Sequence, residues 1–317
     1  MQPEISPVMV REASMRIRPL ARHTPVFSST SINEVSGLNV HFKCENLQRG
    51  GSFKIRGASN LILSLPEKDL SRGVVAYSSG NHAQAVAIAA HHVGAPATIV
   101  MPSDAPRIKM EPTRNQGARI VTYDRHNESR EAIAEQILKD TGGTLIPPFD
   151  HPMIMAGQGT AALELLEVVP HLDALIAPIG GGGLLAGCAT IAKALNPDIR
   201  IFGAEPERSN DTYLSLKAGR RVAIQPNDTI ADGLRSPQPG ALTFPVLQRH
   251  VEQVVLVSDD QLRDAVKYLL MRMKLLVEPS GVIAAAAVLY HKLPKGLRSI
   301  GVILSGGNVD FEHLATY

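Results

Sequence analysis

The chain has 317 residues, 44% hydrophobic and 20% charged, enough to bury a sizeable core and to divide into two domains. With 32 basic against 30 acidic side chains, a formal charge of +2, 4% aromatics and no tryptophan, neither nucleic acid nor an anionic membrane surface is expected as a partner. Cys44 and Cys188 stand in no metal-ligand spacing, which fits a reducing compartment. Met1-Gln2-Pro3-Glu4 lacks the layout of a secretory signal. The longest apolar stretch, Gly281 to Tyr290, has about half the length that a membrane span needs. A cytoplasmic protein is the expectation.

In chain order, residues 1 to 32 read as a helical arm running into His23-Thr24-Pro25-Val26, and Asn39 to Glu45 alternates apolar and polar side chains as a half-buried strand does. The loop Gly50-Gly51-Ser52-Phe53-Lys54-Ile55-Arg56-Gly57 follows, with a helix expected from Ala58 to Leu65. From Gly73 strand and helix alternate: strands over 74–77, 97–101 and 119–123, helices over 83–92, 107–115 and 128–140. This is the pattern of a parallel sheet with right-handed crossovers, so residues 73–150 read as a small α/β domain inserted into a larger one formed by 1–72 and 151–317. The larger domain resumes with Ala156-Gly157-Gln158-Gly159-Thr160 opening a helix to Val169. Strands over 173–179, 200–204, 254–257 and 299–304 follow, with helices over 184–195, 258–273 and 279–291 and long loops over 220–245.

Candidate chemistry sits between these elements. A lysine that forms imines needs a neutral amine, and Lys54, beside Phe53 and Arg56 near a helix start, is placed for that; a solvated loop lysine is the alternative. Gly180, Gly181, Gly182 and Gly183 join a strand to a helix, so that backbone N–H groups and a helix N-terminus can converge on a phosphate. A tight packed turn is the alternative. Ser78-Ser79-Gly80-Asn81-His82, also between strand and helix, offers hydroxyls and N–H groups to a carboxylate, or simply caps the helix. Ser305, in Leu304-Ser305-Gly306-Gly307-Asn308, can face a ring nitrogen or merely turn the chain. Glu205 and Asp211 are candidates for a hard cation, or for acids at a helix start.

Taken together and in this order, the lysine loop, Ser-Ser-Gly-Asn-His, the glycine run and Ser-Gly-Gly-Asn resemble the fold-type II pyridoxal phosphate enzymes, and within them the serine/threonine dehydratase and serine racemase family. The likeness runs from about His23 to Asp310 and is strengthened by Ala156 to Thr160, Thr229-Ile230-Ala231-Asp232-Gly233 and Leu275 to Gly281. It implies two parallel-rich α/β domains with helices on both faces, like the tryptophan synthase β fold. Carried over by position, Lys54 is the cofactor's covalent anchor and the base at Cα, and Phe53 packs on the ring. Asn81 reaches the 3′-hydroxyl, Gly180 to Gly183 hold the phosphate, and Ser305 faces the pyridine nitrogen. Ser78, Ser79 and His82 line the substrate carboxylate pocket, and Ser79 stands on the face opposite Lys54, where racemases move a proton.

The implied reaction is β-elimination from L-threonine or L-serine to a 2-oxo acid and ammonia, with 3-hydroxyaspartate elimination and serine racemisation as close alternatives. The resemblance also implies a divalent cation (Mg²⁺, or Ca²⁺ or Mn²⁺) on Glu205, Ser209 and Asp211, and a homodimer. Arg130 matches an arginine that pairs with a second substrate carboxylate, or is a solvated helix residue. Departures are Gly50 in place of threonine and Pro147 in place of histidine. No C-terminal regulatory domain is expected. A β-replacement enzyme would carry Thr-Ser-Gly-Asn-Thr at 78–82, and a non-catalytic nucleotide-binding module would not need Lys54, Ser79, Asn81 and Ser305 together.

Overall fold

The computed structural model describes residues 4–78, 80–105, 107–124, 127–225, 227–315 and 317. Ten strands are present among them: β1 (Val26–Phe27), β2 (Asn39–Cys44), β3 (Val74–Tyr77), β4 (Ala97–Pro102), β5 (Arg119–Tyr123), β6 (Thr144–Leu145), β7 (Ala174–Pro178), β8 (Arg200–Pro206), β9 (Gln253–Val257) and β10 (Ser299–Leu304). They form a six-stranded sheet in the order β1-β2-β10-β7-β8-β9 and a four-stranded sheet in the order β5-β4-β3-β6. Every pairing is parallel except β1 with β2. This is the α/β architecture of parallel-rich sheets that the sequence predicts.

Alternation along the strands distributes side chains to two cores, because successive residues point to opposite faces. Ala174 and Ile176 of β7, with Phe202, Val255 and Val302, pack on one face against the helices Asp259–Met273 and Pro279–Leu289. Leu175 and Ala177, with Ile201, Val254 and Ile303, pack on the other against Pro152–Val168 and Gly183–Leu195. The Pro279–Leu289 helix is buried from Pro279 to Val288, as its all-round apolar sequence requires.

Two helix starts lie four residues before the sequence reading put them. The helix expected from Ala58 begins at Lys54 and ends at Ile62. The helix expected to open at Ala156 begins at Pro152, with His151 accepting from the Met153 N–H as its cap. Gly157 and Gly159 lie inside that helix because neighbours press on them. A Cβ at Gly157 would stand 2.4 Å from the Arg56 carbonyl oxygen, and one at Gly159 2.6 Å from that of Gly187. The helices Thr30–Ser36, Glu67–Leu70 and Asp211–Ala218, and the two-residue β6, were not anticipated.

Among the described residues, no helix is long and apolar enough to cross a membrane. Cys44 and Cys188 are buried and unbridged, and burial pushes both thiols up to about 12.

Candidate active site

The carboxyl ends of β3, β7 and β10 open onto one cavity of about 740 Å³, where ligands of open α/β sheets bind. Lys54 is the first residue of its helix and lines this cavity. Its Nζ donates to the Pro148 carbonyl at 2.9 Å and stands 5.0 Å from the centroid of the Phe53 ring. Burial, partly opposed by the Glu278 carboxylate, lowers its pKa to about 8. The loop is held from the far end of the chain. Phe53 N–H donates to the Ser305 carbonyl at 3.0 Å, and Ser52 bridges Gly306.

Behind Lys54, Arg56 has no exposed surface and spends its guanidinium on two carboxylates. Nε and Nη2 bond Glu45 at 2.7 and 2.8 Å, Nη1 and Nη2 bond Glu164 at 2.7 Å each, and Nη1 also reaches Thr160 Oγ1 at 3.0 Å. Lys43, equally buried, donates to the same Glu164 and to the Thr24 carbonyl. Two cations and two carboxylates thus compensate one another, as buried charge demands. They tie β2, the Lys54 helix and the Pro152–Val168 helix together.

The glycine run forms the opposite wall. Gly182 has φ +91 and precedes the Gly183–Leu195 helix, whose first N–H groups have no partner within the helix. A side chain at Gly181 would put its Cβ 2.4 Å from the Phe149 ring. Thr243 Oγ1 and Gly240 N–H fix the Gly181 carbonyl at 2.7 and 3.2 Å. Asp150 accepts from the N–H groups of Ala241 and Leu242 at 2.9 and 2.8 Å, anchoring the segment that carries them. A glycine-lined cradle at a helix start suits an anionic phosphate.

Asn81 opens the Asn81–His92 helix, and its Nδ2 donates to Glu278 Oε1 at 2.6 Å while its Oδ1 accepts from Asn308 Nδ2 at 2.9 Å. Ser78 follows β3 and lines the cavity, its Oγ accepting from Gly80 N–H at 3.3 Å. Ser79 lies outside the described residues. Ser305 Oγ, also at the cavity, stands 3.5 Å from the Ser280 carbonyl. His82 lines the cavity but is only 2% exposed, and its Nε2 bonds the Ile146 carbonyl at 2.8 Å. A carbonyl accepts, so Nε2 carries the proton; burial and Lys54 lower its pKa to about 3. The ring is neutral and its chain segment, rather than a charge, is what it brings to a carboxylate.

Arg130 reaches the cavity from the first turn of the Arg130–Thr141 helix. Its guanidinium lies 5.3 Å from the Tyr77 ring centroid and its Nε bonds Glu131 at 2.8 Å. Glu205, Ser209 and Asp211 do not line the cavity. Glu205 accepts from the N–H groups of Thr212 and Tyr213 at 3.0 and 2.8 Å, whereas both Asp211 oxygens are buried without a hydrogen bond. Burial, and for Glu205 the nearby Asp211, pushes both carboxyls up. No group of three or more His, Cys, Asp or Glu suited to a metal occurs among the described residues. Ser209 Oγ donates to the Leu234 carbonyl at 2.8 Å, linking this place to a residue of the cavity wall.

Sequence reasoning assigned no role to Glu278, Pro148, Gln158 or Asn308, although three of them stand in segments it quoted. Their part comes from side chains crossing between elements remote in sequence, for which spacing gives no sign.

The sequence and the fold are similar to those of known proteins. The family model for pyridoxal-phosphate dependent enzymes matches residues 17–306. An L-threo-3-hydroxyaspartate ammonia-lyase of Saccharomyces cerevisiae is 46% identical over 97% of this chain and 94% of its own length. A serine racemase of Schizosaccharomyces pombe is 44% identical over 97% and 95%. The structure of maize serine racemase superposes with a TM-score of 0.96 at 45% identity, covering 99% of this chain and 97% of that one. The chain belongs to the pyridoxal-phosphate-dependent enzymes, in the fold-type II branch that contains the serine/threonine ammonia-lyases and serine racemases.

Proposed function

We propose that this enzyme eliminates water from L-threonine and L-serine and releases a 2-oxo acid and ammonia. The observation that carries the reading is the convergence of the Lys54 amine, Asn81, Ser305 and the glycine run on one cavity. The residues suit pyridoxal phosphate: Lys54 anchors it, Gly180 to Gly183 take its phosphate and Asn81 its 3′-hydroxyl. Phe53 packs on its ring and Ser305 faces the ring nitrogen. When bound, it supplies a sink for the electron pair left at Cα, and a neutral hydroxyl opposite the nitrogen holds the ring proton less firmly than a carboxylate would. Lys54, whose amine burial keeps partly neutral, takes the Cα proton. The β-hydroxyl leaves as water, and hydrolysis then frees ammonia and the 2-oxo acid. Ser78, Ser79 and the His82 segment hold the substrate carboxylate.

A second reading, elimination from 3-hydroxyaspartate, is favoured by Arg130 at the cavity wall, a cation able to pair with a second carboxylate. Racemisation of serine is the third activity, with Ser79 moving the proton on the face opposite Lys54. We further propose a divalent cation, Mg²⁺ in the first instance, on Glu205, Asp211 and the Ser209 carbonyl, supported by the unbonded Asp211 oxygens. We take residues 73–150 as a small domain inserted into a large one, and the active form as a cytoplasmic homodimer.

Assay of 2-oxo acid release from L-threonine, L-serine and the 3-hydroxyaspartate isomers, with serine chirality followed in the wild type and Ser79→Ala, tests the activity. Turnover of L-threonine or L-serine is expected, and loss of racemisation in Ser79→Ala with elimination still measurable. No turnover of any of these amino acids would reject the reading. Borohydride reduction is expected to leave a pyridoxyl group on Lys54.

A further inference from the structure

Gln158 is a polar side chain that the reaction above leaves without a task. It projects from the Pro152–Val168 helix to the cavity and is 1% exposed. Its Nε2 makes only a long contact, 3.5 Å, with the Pro148 carbonyl oxygen that already accepts from Lys54 Nζ at 2.9 Å. Its Oε1 is buried and has no hydrogen-bond partner. Such an orphan is uncommon in a native interior and calls for an explanation.

Two glycines make room for this side chain. A Cβ at Gly57 would stand 3.1 Å from Gln158 Cγ, and one at Gly183 2.8 Å from Gln158 Oε1. The side chain therefore runs from the first turn of the Lys54 helix to the last glycine of the cradle. As it stands, its oxygen faces the glycine end, where an anion would repel it, and its N–H₂ faces the carbonyl beside the lysine. Half a turn about the last side-chain bond exchanges the two ends of an amide at no cost in volume.

We propose that Gln158 is a positioning residue joining the two ends of the cofactor site: with its amide so turned, Nε2 donates to the phosphate at Gly183 and Oε1 accepts from the Lys54 amine. The turned amide offers a donor to negative charge, a strong type of hydrogen bond. It also serves the lysine, which carries three N–H donors once it has taken the Cα proton. Pro148 accepts one of these and Gln158 a second. The inference rests on Lys54 as anchor and Gly180 to Gly183 as phosphate cradle.

Gln158→Leu and Gln158→Glu, compared with the wild-type holoenzyme, test it. The Kd for pyridoxal phosphate, read by fluorescence titration, is expected to rise about tenfold in the leucine variant and further in the glutamate variant, which puts an oxygen against the phosphate. With inorganic phosphate held at Gly183, so that the amide is turned, the pH midpoint for capture of pyridoxal is expected to fall in Gln158→Leu, because the ammonium loses an acceptor. A lower Tm with Kd and midpoint unchanged marks a merely structural residue and overturns the proposal. The wild type gives a reading that needs no variant to fold. The ¹H–¹⁵N resonance of the Gln158 amide should move when pyridoxal phosphate is added, and a resonance left in place overturns it. Pyridoxyl mapped to another lysine would instead defeat the underlying reading, whereas pyridoxyl on Lys54 with Gln158 unmoved defeats this inference alone.

Discussion

Lys54 shows how a single side chain is prepared for its task by what surrounds it. An ordinary lysine amine, near 10.5, is almost wholly protonated at neutral pH. Burial brings this one to about 8, so that roughly a tenth is neutral at pH 7. The neutral form is the nucleophile and the base. The rate at which cofactor-free protein captures pyridoxal phosphate should therefore rise with pH and level off above about 8, as followed by stopped-flow absorbance; a rise continuing to 10 would contradict the burial effect. His82 adds no inflection near 6.5 to this profile, since its ring is neutral down to about 3. The sequence pointed to Lys54 through its flanking residues. It did not show the Pro148 carbonyl or Glu278 beside it, because these arrive from 94 positions away on the one hand and from the start of the Pro279–Leu289 helix on the other.

At the scale of elements, the strand-end loops were legible and the helix limits less so. A buried parallel strand followed by glycines leaves few other readings, and the glycine run, Ser78 to His82 and Ser305 do line one cavity; Ser79 alone lies outside the described residues. The start of the Pro152–Val168 helix was misplaced by one turn, although Pro152 in the first position and the His151 cap mark it; Gly157 and Gly159 lie inside it because a Cβ there would meet neighbouring carbonyl oxygens at 2.4 and 2.6 Å. The helix Asp211–Ala218 escaped because no long apolar stripe marks it. Its start is fixed by Glu205 of β8, which accepts two of its first N–H groups. The buried charges behind Lys54 give a prediction of their own. Arg56→Met leaves Glu45 and Glu164 facing each other without that cation and should cost about 3–5 kcal/mol of stability, measured by urea unfolding. A loss below about 1 kcal/mol, the size of a surface pair, would show that the cluster does not hold these elements.

In the whole molecule, Glu205, Ser209 and Asp211, the residues proposed to hold a cation, are not part of the cavity lining. Ser209 and Leu234 connect the two places, so metal should act on the stability of the wall more than on the chemistry. Removal of metal with EDTA at pH 8 is expected to lower Tm by several degrees. Mg²⁺ should restore it, and Asp211→Asn should respond to neither. A wild-type Tm indifferent to both would remove the cation from the scheme. In the sequence, Glu205 and Asp211 stand out only as two carboxylates six residues apart. Their burial, and the division of labour between a capping carboxylate and an unbonded one, required the folded chain.

The order of strands also has a consequence in time. β10, the last strand in the sequence, lies in the interior of the six-stranded sheet, between β2 and β7. Until it is made, β2 and β7 cannot be joined through it, and each offers an open edge to other chains. The lysine loop waits on the same event, since Ser52 and Phe53 are held by Gly306 and Ser305. A ribosome must therefore have made the chain through Gly306 before the pocket exists, and a message truncated before Ser299 yields a product inclined to aggregate rather than a partial enzyme.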